Sequence, residues 1–109
     1  MRKRDTCKTH QDGIENIVDR LEHDIIVEWD GVEPRYMYQL GDTVYETDVI
    51  AGKDYRMFVF EYKCHDSPKA REKAEEQLER VKWWFELQGF RVTPFYVHDN
   101  MVYEYMSLE

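Results

Sequence analysis

Apolar positions first recur at helical spacing near the start of the chain. The pattern predicts an amphipathic helix over residues 12–23, with Asp12 as its cap and Glu15 at the capping-box position three residues later. Its apolar stripe consists of Ile14, Ile17, Val18 and Leu21. This first helix is therefore short, with one face suited to packing against a core.

The pattern then changes to runs rich in β-branched and aromatic residues, which predict strands. These runs are 25–29, 35–40, 43–51 and 55–63, followed after a second helix by 90–98 and 101–106. Asp99 and Asn100 separate the last two runs, which is typical of a closing hairpin. We therefore expect a strand meander before the second helix and a hairpin after it.

Strong signals mark both ends of the second helix. Ser67 is the predicted cap, Pro68 occupies the first turn and Gly89 stops the helix, which gives about 21 helical residues. The predicted apolar face is Ala70, Ala74, Leu78, Val81 and Phe85. Two tryptophans, Trp83 and Trp84, adjoin the last of these. Because three consecutive positions cannot all face inward, one tryptophan should be exposed, as a dimer contact or a base-stacking surface.

Length and composition favour one folded domain. With 109 residues, 42% hydrophobic and 15% aromatic, the chain can bury one core, and we expect residues 12–109 to form it behind a basic arm of residues 1–11. No apolar run approaches the roughly 18 residues that span a bilayer, and the first residues lack the apolar stretch of a signal peptide. An intracellular, cytoplasmic protein without a membrane partner is expected.

The net charge of −8 counts against a nucleic-acid partner until its distribution is considered. Residues 12–48 contain eleven acids and two bases, so the remainder of the chain carries a net charge of +1. The first ten residues contain four bases and one acid, which suits a phosphate backbone or, equally, a solvated terminus. DNA therefore stays open as a partner.

The two cysteines, Cys7 and Cys64, do not make a disulfide framework, and reduced thiols are expected. A single bridge between them is the first alternative. The second is a zinc site shared with His10 and His65, although the spacing matches no strong zinc pattern.

The candidate chemistry lies in the strand predicted over residues 55–63, where charges interrupt an apolar run. Strand alternation puts Glu61 and Lys63 on one face. Asp48 on the preceding strand can meet Glu61, and two clustered carboxylates offer the hard oxygen ligands that Mg²⁺ or Mn²⁺ prefers. Lys63 could then orient a water or neutralise charge on a phosphate. The alternative is a surface ion pair between Glu61 and Lys63 on an edge strand.

Asp48 in an apolar strand, followed 13 positions later by Glu61-Tyr62-Lys63, resembles the signature of the PD-(D/E)XK nuclease superfamily, although no proline precedes Asp48. The predicted element order is also similar to the α-βββ-α-β core of that superfamily. The resemblance covers roughly residues 12–106 and implies an α/β, restriction-endonuclease-like core, with a mixed central sheet flanked by two helices (α-βββ-α-ββ). Compact archaeal or viral Holliday-junction resolvases and small VRR-type nucleases are the nearer comparisons.

This resemblance implies a nuclease that uses Mg²⁺ or Mn²⁺ to hydrolyse phosphodiester bonds of DNA, with a homodimer left open. Asp48 and Glu61 would hold the metal, and Lys63 would be the catalytic lysine. Glu15 and Gln77 match two further site positions found in members of the superfamily. Their alternative roles are a capping-box residue and a hydrogen bond to backbone at the sheet edge. The expected substrate-binding residues are Arg2, Lys3, Arg4, Lys53, Lys69, Arg71 and Lys73.

Two other functions stay open. A non-catalytic module on the same fold would bind nucleic acid or a protein partner, with a vestigial acid cluster. An unrelated α/β interaction protein would dock its acidic segment, residues 12–48, on a basic partner. The intact set of Asp48, Glu61 and Lys63 favours the nuclease over both.

The metal site imposes a condition on the hairpin between the two acidic strands. A tight turn at residues 52–53 would place Asp48 opposite Met57, about 13 Å from Glu61 along the ladder. Asp48 meets Glu61 only if the hairpin is centred on residues 54–55, for which a wider loop or a bulge is expected.

Overall fold

The computed structural model describes residues 9–99 and 101–108. Within them the element bounds are α1 His10–Glu22, β1 Gly31–Leu40, β2 Thr43–Lys53, β3 Arg56–Lys63, α2 Pro68–Glu86, β4 Arg91–His98 and β5 Val102–Tyr105. Neither of these helices is long and apolar enough to cross a membrane. The order confirms the predicted α-βββ-α-ββ arrangement of an α/β protein.

The strands form one mixed sheet in the order β1-β2-β3-β4-β5. Strands β3 and β4 are parallel, and the other neighbouring pairs are antiparallel. A parallel pair needs a crossover connection, and α2 supplies it between β3 and β4. Strand β3, which carries Glu61 and Lys63, is therefore the middle strand of the sheet.

The two helices cover opposite faces of this sheet. Successive strand residues point to alternate sides and therefore contribute to two separate core clusters, one under each helix. The α2 cluster contains Tyr38, Ile50, Met57, Val59, Ala74, Leu78, Val81, Phe85, Tyr96 and Met106. The α1 cluster contains Ile14, Ile17, Val49, Ala51, Phe60, Tyr62 and Val97. The domain is thus three-layered, with a mixed central sheet flanked by two helices as expected.

Residues 24–30 form a loop, so the strand predicted over residues 25–29 is wrong. Asp24 Oδ1 accepts hydrogen bonds from the backbone amides of Ile26 (2.8 Å) and Val27 (3.0 Å). Such a side-chain turn satisfies these amides locally and competes with a strand ladder. Ile25 and Ile26 accordingly project into solvent, at 97% and 89% exposure.

Helix α1 spans His10–Glu22 instead of the predicted residues 12–23, and its cap is Thr9 rather than Asp12. The Thr9 Oγ1 accepts a hydrogen bond from the Asp12 amide at 3.1 Å. Glu15 therefore does not occupy the capping-box position. His10 and Gln11, which the sequence placed in the basic arm, are helical.

Helix α2 begins as predicted, with Ser67 as its cap and Pro68 in its first turn. At its other end Trp83 is 54% exposed, whereas Trp84 packs against the α2 cluster. The Trp84 Nε1 donates to the hydroxyl of Tyr36 at 3.1 Å. One exposed tryptophan is thus confirmed, and a dimer contact or stacking role for Trp83 stays a prediction.

The hairpin between β2 and β3 turns at Asp54 and Tyr55. Lys53 pairs with Arg56, so two residues close the turn, and Asp54 adopts a positive φ of 56°. A hairpin centred on these two residues is the one that brings Asp48 opposite Glu61, as the predicted metal site requires. The wider loop expected there is wrong, because a residue with positive φ allows a two-residue connection.

Cys64 directly follows β3 and is disulfide-bonded. The expectation of a reduced thiol is therefore wrong for Cys64. A disulfide sulfur offers no thiolate to a metal, so the zinc alternative is wrong as well. Cys7, the other cysteine of the chain, lies outside the described residues.

Candidate functional site

The register of β2 and β3 brings Asp48 and Glu61 opposite each other. The paired residues run from the turn to Val49 and Phe60, and Asp48 and Glu61 occupy the next position, where the ladder ends. Side chains that face each other across an antiparallel pair are about 5 Å apart at Cβ. The two acids therefore converge, as a shared cation would require.

Strand β2 is irregular at Asp48. Tyr45 and Val49 are both odd-numbered, yet Tyr45 packs with the α2 cluster and Val49 with the α1 cluster, so the alternation of faces breaks between them. On the neighbouring strand, Arg35 lies opposite Asp48 in the register and has a positive φ of 53°. This distortion inserts no residue, because the register of β1 and β2 is the same on both sides of Asp48, and it lets the Asp48 side chain leave its regular position in the pleat.

Two N–H donors hold the carboxylate of Asp48, which is only 6% exposed. The backbone amide of Tyr62 donates to Oδ2 at 2.8 Å, and His10 Nε2 at the start of α1 lies 3.1 Å from the same oxygen. An ionised carboxylate can only accept, so Nε2 carries the proton of this bond. The pKa of His10 lies above its ordinary value, mainly because of this hydrogen bond to Asp48.

Glu61 is buried without full compensation of its charge. The side chain is 1% exposed, and no described residue makes a hydrogen bond to its Oε2. Burial raises the pKa of Glu61 well above its ordinary value, the charge and side-chain hydrogen bond of Asp48 raise it further, and Lys63 only partly opposes them. Two adjacent buried carboxylates cannot both ionise without a cation.

Lys63 lies on the same face of β3 as Glu61 and acts on two groups of the site. Its charge lowers the pKa of Glu61 and opposes the rise in the pKa of His10. Lys63 itself is partly exposed. The alternative of a surface ion pair on an edge strand is wrong, because β3 is the middle strand and Glu61 is buried.

The donor set of Asp48 and Glu61 fits a hard divalent cation. Both residues offer carboxylate oxygens, and the buried Oε2 of Glu61 has no partner in the described part of the chain. Mg²⁺ is usually held by one or two protein carboxylates and keeps several of its waters. A cation between the two acids would balance the negative charge of Asp48 and Glu61, which Lys63 offsets only in part.

The two helix residues matched from the superfamily are placed differently. Glu15 is exposed on α1 and accepts a hydrogen bond from Gln11 Nε2 at 2.8 Å, so its carboxylate is engaged away from Asp48. Gln77 faces the sheet from α2, and its Oε1 is buried without a partner among the described residues. Gln77 thus keeps an unpartnered amide oxygen, whereas Glu15 does not contribute to this geometry.

Sequence reasoning considered His10 only as a ligand of the zinc alternative and missed its place beside Asp48. This residue extends the apolar stripe of α1 by one turn, because His10, Ile14, Ile17 and Leu21 follow the spacing i, i+4, i+7, i+11. This periodicity could have placed His10 on the sheet-facing side. Because the helix was predicted to begin at Asp12, His10 was assigned to the N-terminal arm instead.

The basic residues expected to bind substrate have different surroundings. Lys69 and Lys73 are exposed in the first turns of α2, and Lys53 is partly exposed at the end of β2. Arg71 donates to two carboxylates, which leaves less of its charge for a phosphate. The remaining three, Arg2, Lys3 and Arg4, lie outside the described residues.

A second group of ligand-type side chains surrounds His98, the ladder partner of Lys63 on β4. Asp66, His98 and Glu104 offer ligand atoms that lie within 4.8 Å of one another. Arg71 donates to both oxygens of Glu104 (3.0 and 3.1 Å) and to Asp66 (2.9 Å), and His98 Nε2 contacts Glu104 as well. A guanidinium already supplies the positive charge here, so we assign this group to anchoring α2 rather than to a metal.

A scan against protein-family models and a search of the curated proteins both return no match. The resemblance to the PD-(D/E)XK superfamily rests on the motif of Asp48, Glu61 and Lys63 and on the order of elements. Function is therefore inferred from the residues and their geometry.

Proposed function

We propose that this protein is a divalent-metal-dependent nuclease of the PD-(D/E)XK type, which hydrolyses phosphodiester bonds of DNA. The observation that carries the proposal is the buried pair of Asp48 and Glu61 beside Lys63. Burial of a charged carboxylate without a counter-charge costs several kcal/mol. A pair of acids in the centre of the sheet is therefore best explained by a function that brings a cation to it.

Each side chain has its own role in this proposal. Asp48 and Glu61 would hold Mg²⁺ or Mn²⁺, which would supply Lewis acidity toward the scissile phosphate and the attacking water. Lys63, partly exposed beside the buried acids, would orient that water and neutralise charge that builds on phosphorus. The amide oxygen of Gln77, which has no partner among the described residues, would accept a hydrogen bond from that water from the α2 side.

The distribution of charge favours an approach of DNA over the start of α2. Lys63 ends β3, and the exposed Lys69 and Lys73 follow within the next ten residues. The outer surface of α1 and the loop after it instead belong to the acidic segment of residues 12–48. A phosphate backbone is attracted to the first surface and repelled by the second, so binding should weaken as salt rises.

Incubation with plasmid, single-stranded, flap and four-way-junction DNA in Mg²⁺, Mn²⁺ or EDTA tests the proposal. We expect the wild type to cleave only with metal, and Lys63→Ala and Glu61→Gln to lose about 100-fold or more of the rate. Glu46→Gln is the matched control, because Glu46 is an exposed acid two residues from Asp48 on β2.

Two outcomes would contradict a metal-dependent nuclease that uses this site. The first is cleavage in EDTA, and the second is cleavage by Lys63→Ala at the wild-type rate. Tight DNA binding without cleavage in either metal would select the non-catalytic module on the same fold. Loss of activity in Glu46→Gln would show that the assay responds to surface charge rather than to the site.

A further inference from the structure

We infer that His10 is a positioning residue of the metal site, which orients the Asp48 carboxylate and so sets the affinity for the divalent cation. The inference rests on the proposed function, because it concerns the same two acids. Helix α1 would then contribute to the metal site through its first residue, His10, and not through Glu15.

The geometry around Asp48 supports this role. Its Oδ2 is held by donors from two different elements, the amide of Tyr62 on β3 at 2.8 Å and Nε2 of His10 on α1 at 3.1 Å. Two donors on one oxygen fix the orientation of the carboxylate, which would then be offered to a cation without rotating. Hydrogen bonds of this kind orient carboxylate ligands in metal sites, and their loss weakens metal binding.

The His10 ring is itself held in place. Thr9 caps the helix directly before it, and the ring packs against Tyr62 with a centroid distance of 6.0 Å. Ile14 and Ile17, one and two turns later on the same stripe, are completely buried. The imidazole side chain is nevertheless 48% exposed, so it can be replaced without opening a cavity in the core.

A direct ligand role for His10 agrees less well with the structure. Among the described residues, His10, Asp48 and Glu61 do not form a group whose ligand atoms all lie within 4.8 Å of one another. Imidazole is also a ligand for zinc, copper, iron and nickel, whereas carboxylates and water suit Mg²⁺ and Mn²⁺. His10 therefore acts through Asp48.

Mn²⁺ binding to the full chain, measured by titration calorimetry at one fixed pH, tests the inference. We expect His10→Ala to weaken Mn²⁺ binding about 10-fold or more, while the variant still unfolds cooperatively in EDTA. His10→Gln should recover most of the affinity, because its side-chain Nε2 can still donate to Asp48. Glu15→Gln and His23→Ala are the matched controls, since both residues are exposed on or beside α1, and they should bind Mn²⁺ as the wild type does.

The possible results separate the role of His10 from the metal site itself. Wild-type affinity in His10→Ala, or equal weakening in His10→Ala and His10→Gln, would overturn the positioning role. Weakening in Glu15→Gln alone would transfer the role to Glu15. No Mn²⁺ binding by the wild type, or binding that survives Asp48→Asn, would overturn the metal site and the role of His10 with it.

Discussion

Tyr62 donates its backbone amide to the carboxylate of Asp48 at 2.8 Å, where a strand ladder would provide a carbonyl. The ladder between β2 and β3 ends one position earlier, at Val49 and Phe60. A buried amide needs an acceptor, and here a side chain of the neighbouring strand supplies it. One hydrogen bond thus completes the hairpin and orients the first acid of the proposed metal site.

The buried Glu61 should make the metal-free protein less stable as pH rises. Its pKa lies well above the ordinary value of 4.5 in the folded state, so the folded state binds this proton more tightly than the unfolded state does. The free energy of unfolding therefore falls as pH rises above 4.5, by up to about 1.4 kcal/mol per pH unit, until the folded-state pKa is passed. Glu61→Gln should remove this slope.

Urea unfolding in EDTA between about pH 5 and about pH 8 measures the difference between wild type and Glu61→Gln. Saturating Mg²⁺ should restore wild-type stability most at the upper end of this range, because the cation stabilises the ionised acids. Glu46→Gln, at an exposed position of β2, should follow the wild-type curve. Parallel curves for wild type and Glu61→Gln would contradict the unusual pKa of this carboxyl.

Helix α2 was predicted correctly because local sequence signals mark its start. The strand predicted over residues 25–29 does not form because that segment pairs with no neighbouring strand. Ser67 and Pro68 begin α2 as expected because a cap and a first-turn proline are local features. Residues 25–29 have β-type side chains, yet no strand forms there, because Asp24 binds the nearby amides. Propensity describes a residue's preference, whereas a strand also needs a neighbour.

The convergence of the site depended on one turn that the sequence leaves ambiguous. Gly52 is the stronger turn signal, but it pairs with Met57 inside the ladder, and the chain turns at Asp54. Aspartate tolerates the left-handed region that this turn requires, although less readily than glycine. The motif of Asp48, Glu61 and Lys63 could therefore be predicted as a set, while its geometry could not.

Asp54→Gly should stabilise the hairpin that brings Asp48 opposite Glu61. Asp54 has a φ of 56°, which is strained for most side chains and free for glycine, so we expect a gain of about 0.5 kcal/mol. Its backbone amide, which donates to Asp30 Oδ2 at 2.7 Å, is retained in the variant. Asp54→Val should instead lose about 1 kcal/mol, and chemical unfolding of both variants measures the difference. A loss of stability in Asp54→Gly would contradict this turn geometry.

Gly13→Ala should separate α1 from β3, because a Cβ at Gly13 would overlap the ring of Tyr62. Tyr62 is 2% exposed and cannot easily move, so overpacking should cost about 1–3 kcal/mol despite the better helix propensity of alanine. Metal affinity should fall too, since α1 carries His10. Gly31→Ala is the control, because nothing lies within 4 Å of its Cβ position. Urea unfolding compares the two, and equal stability would contradict the close packing of α1.

Arg71 should anchor the start of α2 to β5 through Glu104. Arg71 is the largest cause that lowers the pKa of Glu104 to about 2, and a depressed carboxyl pKa stabilises the folded state above the ordinary value of 4.5. Arg71→Gln should therefore lower the melting temperature modestly at neutral pH, because solvent screens this pair, and the difference should shrink as pH falls from 4.5 toward about 2. Lys73→Gln removes the same charge from an exposed position of α2 and should leave the melting temperature unchanged. If both variants melt alike at every pH, the contacts of Arg71 contribute no more than a surface ion pair does, and the start of α2 is held by its packing on the sheet.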